Sequence, residues 1–225
     1  MLSKYCLPIV KSNLDHVQSE IEGHSGYPKF EIWLDYLEAV QPGPVRALAD
    51  RYPGRLVFHF RRRQLEPIRT PLATRLEVIQ TLSGAGVMLD LDAASQLSEF
   101  DHIRSGQLGL QVIASYHNYE STPSDRELRD TVQGLRDHQP DVVKVAAFCR
   151  EDADALRLLQ LQLELKTQGV KHIILGMGPH GLPTRVFGTL WGNELAFVPE
   201  SSAEASAPGQ LTKSQLDTIF ANLGA

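Results

Sequence analysis

Eight short apolar runs alternate with eight helix-like stretches along the 225 residues, and this alternation predicts a single (β/α)8 barrel over residues 1–225. No linker or low-complexity tract interrupts the alternation. The length suits one large α/β domain with a substantial buried core. A doubly wound open sheet is the alternative, but no Gly-x-Gly-x-x-Gly motif follows the first strand, which argues against an open sheet that binds a dinucleotide.

Each strand prediction rests on a run of apolar and β-branched residues without helical spacing. In chain order these runs are Tyr5–Val10, Phe30–Leu34, Leu56–Phe60, Val87–Leu91, Gln111–Tyr116, Val142–Ala147, His172–Leu175 and Leu195–Val198. Amphipathic segments predict helices at Asn13–Ile21, Pro44–Arg51, Pro71–Ser83, Ala94–Arg104, Ser124–Asp137, Asp152–Thr167, Leu182–Leu190 and Thr212–Leu223. Thr212 is expected to cap the last helix, because its hydroxyl can accept a hydrogen bond from the first helical turn.

Composition and charge argue against several classes of protein. A formal net charge of −5 and the lack of a long basic stripe argue against nucleic-acid binding. The N-terminus lacks a signal-like apolar core, and no apolar run approaches the length of a membrane span. Cys6 and Cys149 lie in apolar runs and are expected to be buried free thiols in a reducing compartment. We therefore expect a cytoplasmic protein that binds neither membranes nor nucleic acids.

The sixth strand candidate carries a lysine inside an apolar run. The segment begins with Asp141-Val-Val-Lys144, continues to Phe148 and indicates a strand buried on both faces. A buried ammonium group must pair with a carboxylate, reach solvent along its stem or lose its proton. Proton loss is what imine formation with a ketone requires, because the neutral amine is the nucleophile. The run therefore indicates either a structural lysine or an imine-forming one.

Polar side chains stand at the ends of several predicted strands. In a (β/α)8 barrel the carboxyl ends of the strands surround the active site. The residues at these ends are Glu31, Asp35, Arg61, Asp90, Asp92, His117, Lys144 and Met177, joined by the loops 178–185 and 206–210. Each has a structural explanation on its own, such as a helix cap for an aspartate or a packed position for a histidine. Together they suggest an anionic carbonyl substrate, with the lysine forming an imine and the histidine moving a proton.

Four longer motifs connect these residues. Asp90-Leu-Asp92 is followed, after Ala93 and eighteen further residues, by Val112-Ile-Ala-Ser-Tyr-His-Asn118. The other motifs are Asp141-Val-Val-Lys144, Gly176-Met-Gly-Pro-His-Gly-Leu-Pro-Thr-Arg185 and Ala205-Ser-Ala-Pro-Gly-Gln210. From Phe30 to Gln210 the chain resembles the type I 3-dehydroquinate dehydratases, in the same order. The resemblance implies a (β/α)8 barrel and a lyase of the shikimate pathway of aromatic amino acid biosynthesis, which removes water from 3-dehydroquinate to give 3-dehydroshikimate.

The resemblance also implies roles for individual residues. Lys144 would form an imine with the C3 ketone, and His117 would remove the C2 proton and return a proton to the C1 hydroxyl that leaves as water. Because the imine is the electron sink, no metal or cofactor is implied. The substrate-binding positions implied by the family are Glu31, Arg61, Met177, Arg185, Ser206 and Gln210. The last three match its carboxylate-binding positions, where the planar fork of an arginine suits the ligand and its positive charge favours a neutral Lys144. A homodimer is implied by the resemblance alone.

Two segments depart most from the family pattern. The family's Glu-x-Arg-x-Asp is Glu31-Ile-Trp33-Leu-Asp35 in this chain, so an indole replaces a guanidinium. After Arg61 the family usually has a glutamate that helps to orient the histidine, followed by two glycines. Leu65 stands at that position here, with Glu66 and Pro67 next. Glu66 is the candidate orienting residue if the loop shifts by one position, although Pro67 stiffens the backbone.

The departures leave three functional hypotheses open. The first is a 3-dehydroquinate dehydratase in which other groups compensate. In the second, Trp33 excludes the polar edge of dehydroquinate and the chain acts as a related lyase on another small carboxylated ketone. The third is a dehydratase-like protein that binds an anionic metabolite or a partner without turnover.

Two further features have simpler interpretations. His59 and His172 lie in strand runs without metal-ligand spacing and are expected to be packed or hydrogen-bonded residues. The segment Ser201–Gly209 is rich in small residues and is expected to close over the substrate and exclude water.

Overall fold

Parallel strands surround the centre of the molecule, and helices cover them. The computed structural model describes residues 4–224. Within this range the strands are β1 (Tyr5–Ile9), β2 (Lys29–Trp33), β3 (Leu56–His59), β4 (Met88–Asp92), β5 (Gln111–Asn118), β6 (Val142–Phe148), β7 (His172–Met177) and β8 (Ala196–Phe197). The helices are α1 (Leu14–Gly23), α2 (Pro42–Arg51), α3 (Leu72–Thr81), α4 (Leu97–Ser105), α5 (Asp125–Asp137), α6 (Asp152–Thr167), α7 (Leu182–Trp191) and α8 (Lys213–Leu223). This order confirms the predicted (β/α)8 barrel.

The eight strands form one parallel sheet in the order β7-β6-β5-β4-β3-β2-β1-β8. The pairing of β1 with β8, through Tyr5 opposite Ala196, brings the two ends of the chain together. Between β7 and β8 the described residues form no strand ladder, and the side chain of Asn193 bridges this seam. Its Oδ1 accepts a hydrogen bond from Ile174 N at 2.8 Å, and its Nδ2 donates to Ile174 O at 3.0 Å. The buried side-chain amide of Asn193 therefore makes the two hydrogen bonds that the backbone of a neighbouring strand would otherwise make with β7. With this bridge the barrel is nearly closed.

Two apolar layers follow from the alternation of side chains along each strand. The larger layer lies between the strands and the helices and includes Leu7, Val145 and Leu158. The smaller layer fills the barrel interior with Cys6, Val57, Met88, Ile113, Val142, Ala146, Ile173, Leu175, Met177, Leu195 and Phe197. Interior positions close to the carboxyl ends of the strands are polar instead, and these positions form the site described below.

Element bounds differ from the predictions chiefly where a turn precedes a helix. The helix predicted from Ala94 begins at Leu97, because Asp92 Oδ1 first accepts hydrogen bonds from Ala94 N and Ser95 Oγ, both at 3.1 Å. The last helix begins as predicted. Thr212 Oγ1 accepts from Gln215 N at 3.3 Å, and Gln215 Oε1 accepts from Thr212 N at 2.9 Å.

Two further features of the fold concern the thiols and the length of the helices. Cys6 and Cys149 are both buried and unpaired. Across residues 4–224, each helix is too short or too polar to cross a membrane.

Candidate active site

The carboxyl ends of the strands open onto a cavity. The residues that the sequence analysis named as catalytic or substrate-binding all line it: Lys144, His117, Glu31, Arg61, Arg185, Ser206, Gln210 and Met177. The other lining residues are Trp33, His59, Tyr119, Ala146, Leu175, Phe197 and Ala207. Side chains separated by up to 179 positions in sequence therefore share one cavity, because parallel strands present their carboxyl ends at the same rim.

Lys144 points into the barrel because side chains alternate along β6, where Val143 and Val145 pack outward against the helices. Its Nζ donates a hydrogen bond to Asp90 Oδ2 at 2.5 Å and lies 3.7 Å from Glu31 Oε1. The same nitrogen lies 4.3 Å from the centre of the Phe197 ring. A buried lysine thus lies between two carboxylates and an aromatic face.

The carboxylates decide the charge of this lysine. Burial alone would lower the pKa of Lys144, but Asp90 and Glu31 outweigh burial and raise it above its ordinary value. Burial would raise the pKa of Asp90, yet the charge of Lys144 keeps it well below its usual range. Burial raises the pKa of Glu31, against the opposing charge of Lys144. Positive charge, here from Arg61 rather than Arg185, does lower the pKa of Lys144 as expected, but the two carboxylates outweigh this effect and the resting lysine is charged.

His117, on β5, contacts a charged pair through one ring nitrogen. Arg61 Nη1 lies 2.7 Å from His117 Nδ1 and donates to Asp92 Oδ2 at 2.6 Å. Asp92 Oδ2 itself lies 3.4 Å from His117 Nδ1. Arg61 Nη2 also donates to the Tyr119 hydroxyl at 2.6 Å, and the Tyr119 ring stacks on the imidazole with 6.2 Å between ring centres. Arg61, itself held by Asp92, fixes the orientation of the imidazole.

Burial and the guanidinium keep the imidazole neutral. Burial is the largest effect on the pKa of His117 and Arg61 adds to it, so that the pKa falls to about 4 although Asp92 opposes the change. For Asp92, burial is outweighed by His117 and Arg61, which lower its pKa to about 2. At neutral pH the site therefore holds an uncharged imidazole beside an ionised aspartate, as a proton-transfer residue requires.

Glu66 lies elsewhere, which corrects the expectation that it orients His117. Its Oε2 accepts from Arg62 Nε at 3.0 Å, and the carboxylate is about half exposed. Arg62 in turn donates to the backbone oxygen of Asp35 at 2.8 Å. The carboxylate nearest the imidazole is Asp92, because the loop after β3 turns Glu66 towards Arg62. Leu65 points outward and is 76% exposed.

Arg185 supplies a positive charge without a counter-ion. It is buried in the first turn of α7, and burial lowers its pKa to about 10. Among residues 4–224, no carboxylate lies within ion-pair distance of it, and its Nε has no hydrogen-bond partner. In the same cavity, Gln210 Nε2 donates to Ser206 Oγ at 3.0 Å, and Gln210 Oε1 accepts from Ser206 N at 2.8 Å. These three residues carry donors of the kind that an anionic ligand needs.

Two glycines allow the loops after β7 and β8 to pack backbone against backbone. Gly178 has φ +77° and Gly209 has φ +78°, values that favour glycine. A Cβ atom on Gly209 would lie 2.6 Å from Gly178 O, and one on Gly178 would lie 2.8 Å from the Phe148 ring. Gly178 N also donates to Pro208 O at 3.3 Å. This contact places Ser206 and Gln210 at the cavity.

Trp33 fills the position where the family has an arginine. Its Nε1 donates to Glu31 Oε2 at 2.8 Å, and its ring meets the His59 ring edge-on with 4.5 Å between centres. The indole is 6% exposed. Trp33 therefore orients Glu31 but has no second donor to offer a ligand.

Several residues of the site were assigned no role there by the sequence alone. Asp90 and Asp92 were recognised at the rim with helix capping as the alternative, and only the fold shows that Asp90 reaches across the barrel to Lys144. Tyr119 and Phe197 carry no distinctive spacing, although an aromatic residue in the last strand run was a visible signal. Within the described part of the chain, no group of three or more His, Cys, Asp or Glu side chains is arranged to hold a metal ion.

The fold and the cavity define a (β/α)8-barrel enzyme in which a lysine, a histidine and an arginine line one cavity at the carboxyl ends of the strands. The family model described as type I 3-dehydroquinase matches residues 5–225, and the chain belongs to that family. A 3-dehydroquinate dehydratase of Coxiella burnetii is 28% identical over 214 residues, which cover 92% of this chain and 88% of that protein.

Solved structures show the same fold. The 3-dehydroquinate dehydratase of Geobacillus kaustophilus superposes with a TM-score of 0.84 at 23% identity, over 98% of this chain and 91% of that one. A type I 3-dehydroquinate dehydratase from Clostridium difficile superposes with a TM-score of 0.82 at 21% identity, over 98% and 91% of the two chains.

Proposed function

We propose that the chain is an active 3-dehydroquinate dehydratase that works through an imine on Lys144. The observation that carries this proposal is that Lys144, His117 and the uncompensated Arg185 line one cavity. In this role Arg185, Ser206 and Gln210 bind the substrate carboxylate, which places the C3 ketone at Lys144. Glu31 and Arg61 contact substrate hydroxyls, and Met177 lines the cavity beside the ring.

Imine formation starts from a charged lysine, which must first lose a proton. The two carboxylates beside it provide a proton acceptor and later stabilise the charged iminium. Lys144 passes its proton to Glu31, whose raised pKa suits it as a temporary acceptor, and the neutral amine adds to C3. That proton returns to the C3 oxygen, the nitrogen of the adduct gives the same oxygen a second proton, and the oxygen leaves as water. The ammonium and the ketone thus become an iminium and water with no net change of charge. Asp90 and Glu31 stabilise the iminium as they stabilised the ammonium.

Elimination then follows at the neighbouring carbons. His117 removes the C2 proton, and the electrons of that bond form an enamine by neutralising the iminium. The enamine expels the C1 hydroxyl, which takes the proton back from His117 and leaves as water. A second water molecule hydrolyses the conjugated iminium to 3-dehydroshikimate and returns Lys144 to its charged form. The net reaction is the loss of one water from the substrate.

His117 can act as a base only if its proton sits on the correct nitrogen. A guanidinium only donates, so the 2.7 Å contact of Arg61 requires an unprotonated Nδ1 and a protonated Nε2. To accept the C2 proton at Nε2, the ring must carry its proton on Nδ1, where Asp92 accepts it. Arg61 therefore turns from His117 towards a substrate hydroxyl when the ligand binds. Asp92 does the orienting that the family assigns to a loop glutamate.

A turnover assay tests the proposal. 3-Dehydroquinate is mixed with the protein, and the absorbance of the conjugated product is followed. Lys144→Met should lower kcat by more than about 1000-fold, and His117→Asn by about 100- to 10,000-fold. Lys171→Met, which changes an exposed lysine outside the cavity, is the matched control. Absence of turnover by the wild-type protein contradicts the proposal.

Trp33 supports a second candidate, a related lyase for a different carboxylated ketone. Its indole nitrogen is committed to Glu31, so the cavity lacks the guanidinium donors that the family pattern provides for substrate hydroxyls. If the wild-type protein forms imines with other small keto acids and leaves 3-dehydroquinate unchanged, this second function is the correct one. If it forms imines with none of them, the chain is a binding protein.

We also propose a homodimer in a reducing, cytoplasmic setting. The free buried thiols of Cys6 and Cys149 support the compartment. Exposed apolar side chains support the assembly: Leu156 and Leu163 on α6 are 67% and 44% exposed, and Phe187 on α7 is 40% exposed. Sedimentation of the purified protein should show a dimer, and a monomer at all concentrations would contradict the assembly.

A further inference from the structure

His59 is a buried histidine that the mechanism above does not use. It ends β3, is 2% exposed and lines the same cavity as Lys144 and His117. The backbone N of Arg61 donates to His59 Nδ1 at 3.3 Å, so Nδ1 is unprotonated and Nε2 carries the proton. Within residues 4–224, Nε2 has no hydrogen-bond partner. The wall of the cavity therefore contains a residue with a buried N–H donor that lacks an acceptor, and such groups are uncommon in folded proteins.

Trp33 holds this donor in place. The two rings lie 4.5 Å apart at an interplanar angle of 77°, a favourable edge-on arrangement. Trp33 also donates to Glu31 Oε2, so one indole contacts both a carboxylate acceptor and an imidazole donor of the cavity. An acceptor and a donor in one cavity are the two groups that a hydroxyl can bind, because it both donates and accepts.

The surroundings of His59 keep it an uncharged donor rather than a second base. Burial lowers the pKa of His59 well below its ordinary value. Among the neighbouring charges, Asp90 opposes this effect, whereas Lys144, Arg61 and His117 add to it. The imidazole is thus neutral over the working pH range, and its role is to donate through Nε2–H.

We infer that His59 Nε2–H donates a hydrogen bond to a ring hydroxyl of the substrate, so that His59 and Trp33 together replace the family's arginine beside Glu31. The inference rests on the proposed dehydratase activity and adds a specificity residue to it. It also explains how an indole is tolerated beside Glu31: the lost guanidinium donors are replaced by one neutral donor from the adjacent strand, where Trp33 pairs with His59 in register.

The test compares substrates as well as variants. His59→Phe keeps a ring against Trp33 and removes the donor, and His59→Gln restores a donor. For 3-dehydroquinate, His59→Phe should lower kcat/KM by about 10- to 100-fold, and His59→Gln should recover part of the loss. With analogues that lack the C4 or the C5 hydroxyl, the loss should disappear for one of the two. Borohydride trapping on Lys144 verifies that each variant keeps its reactive lysine.

His172 provides a matched control. It is also 2% exposed, and its Nε2 has no partner among the described residues, but it begins β7 at the other end of the barrel and lies outside the cavity. His172→Phe should alter stability without any dependence on the substrate hydroxyls. An equal loss in His59→Phe for all three substrates would show that His59 only packs against Trp33, and would overturn the inference alone. A wild-type protein without turnover would overturn the proposed function and this inference together.

Discussion

At the residue scale, the charges around Lys144 determine how the site can work. Asp90 and Glu31 favour the ammonium, which makes the first proton transfer necessary, but they favour the iminium for the same reason. The carboxylates therefore make deprotonation of Lys144 less favourable before the reaction, and they lower the free energy of the charged iminium by the same interaction. His117 and Arg185 are not cations paired with carboxylates in the way that Lys144 is. His117 is neutral, and Arg185 has no counter-ion among the described residues.

The depressed pKa of His117 predicts the acid limb of the pH profile. Because the folded-state pKa is about 4, the imidazole is neutral and able to accept a proton above that value. We expect kcat/KM, which reports the free enzyme, to fall at acid pH in two steps: protonation of Glu31, whose pKa burial raises, and protonation of His117 at about pH 4. Stopped-flow measurements between pH 3.5 and 8 give the profile and an NMR titration of the imidazole identifies the step of His117, for which a pKa between 6 and 7 would contradict the environment described here.

The assignment of Asp92 as the orienting group predicts unequal effects of two substitutions. Asp92→Asn should lower kcat by roughly 100-fold or more, because an amide cannot select the required tautomer as a carboxylate does. The acid limb should also move to lower pH, because the carboxylate raises the pKa of His117. Imine trapping on Lys144 should persist.

Glu66→Gln is the matched variant for that experiment. Its carboxylate binds Arg62, so kcat should stay within about twofold of the wild-type value. Opposite results for the two variants would restore Glu66 as the orienting group.

At the element scale, the strands predicted from sequence have nearly the observed bounds, and the errors have local causes. The strand holding Lys144 was predictable because a doubly buried strand shows itself as a continuous apolar run. β5 continues to Asn118, two residues beyond the predicted end, because its last residues pair with β6. Partners such as Asp90 and Lys144 were not predictable, since β4 and β6 are not adjacent and only barrel closure brings them together.

The seam between β7 and β8 gives a stability prediction at the same scale. Asn193→Leu leaves both backbone groups of Ile174 buried without partners, and should lower the free energy of unfolding by about 2–5 kcal/mol. Gln162→Leu removes one nearby bond to Gly188 O together with a side-chain oxygen that lacks a partner, and should cost about 1 kcal/mol or less. Urea unfolding measures both. Equal losses would show that the seam does not depend on the Asn193 bridge.

At the scale of the whole molecule, the barrel brings to one rim residues that the sequence leaves far apart. The rim residues from Glu31 to Gln210 were predictable because the carboxyl ends of parallel strands meet. Their hydrogen-bond partners were not predictable: Glu66 was expected at His117 but binds Arg62, and His59 was expected only to be packed or hydrogen-bonded. Such details depend on loop conformation and on ring orientation, which a linear pattern does not specify.

The most direct test of the imine mechanism is borohydride reduction of the protein in the presence of 3-dehydroquinate, followed by intact mass and peptide mapping. We expect one covalent adduct per chain on Lys144, appearance of the conjugated product in the unreduced sample, and neither in Lys144→Met. An adduct without product would mean that the imine forms and that proton transfer at His117 fails. Product formation without an adduct, or an adduct on a different lysine, would contradict the central role of Lys144.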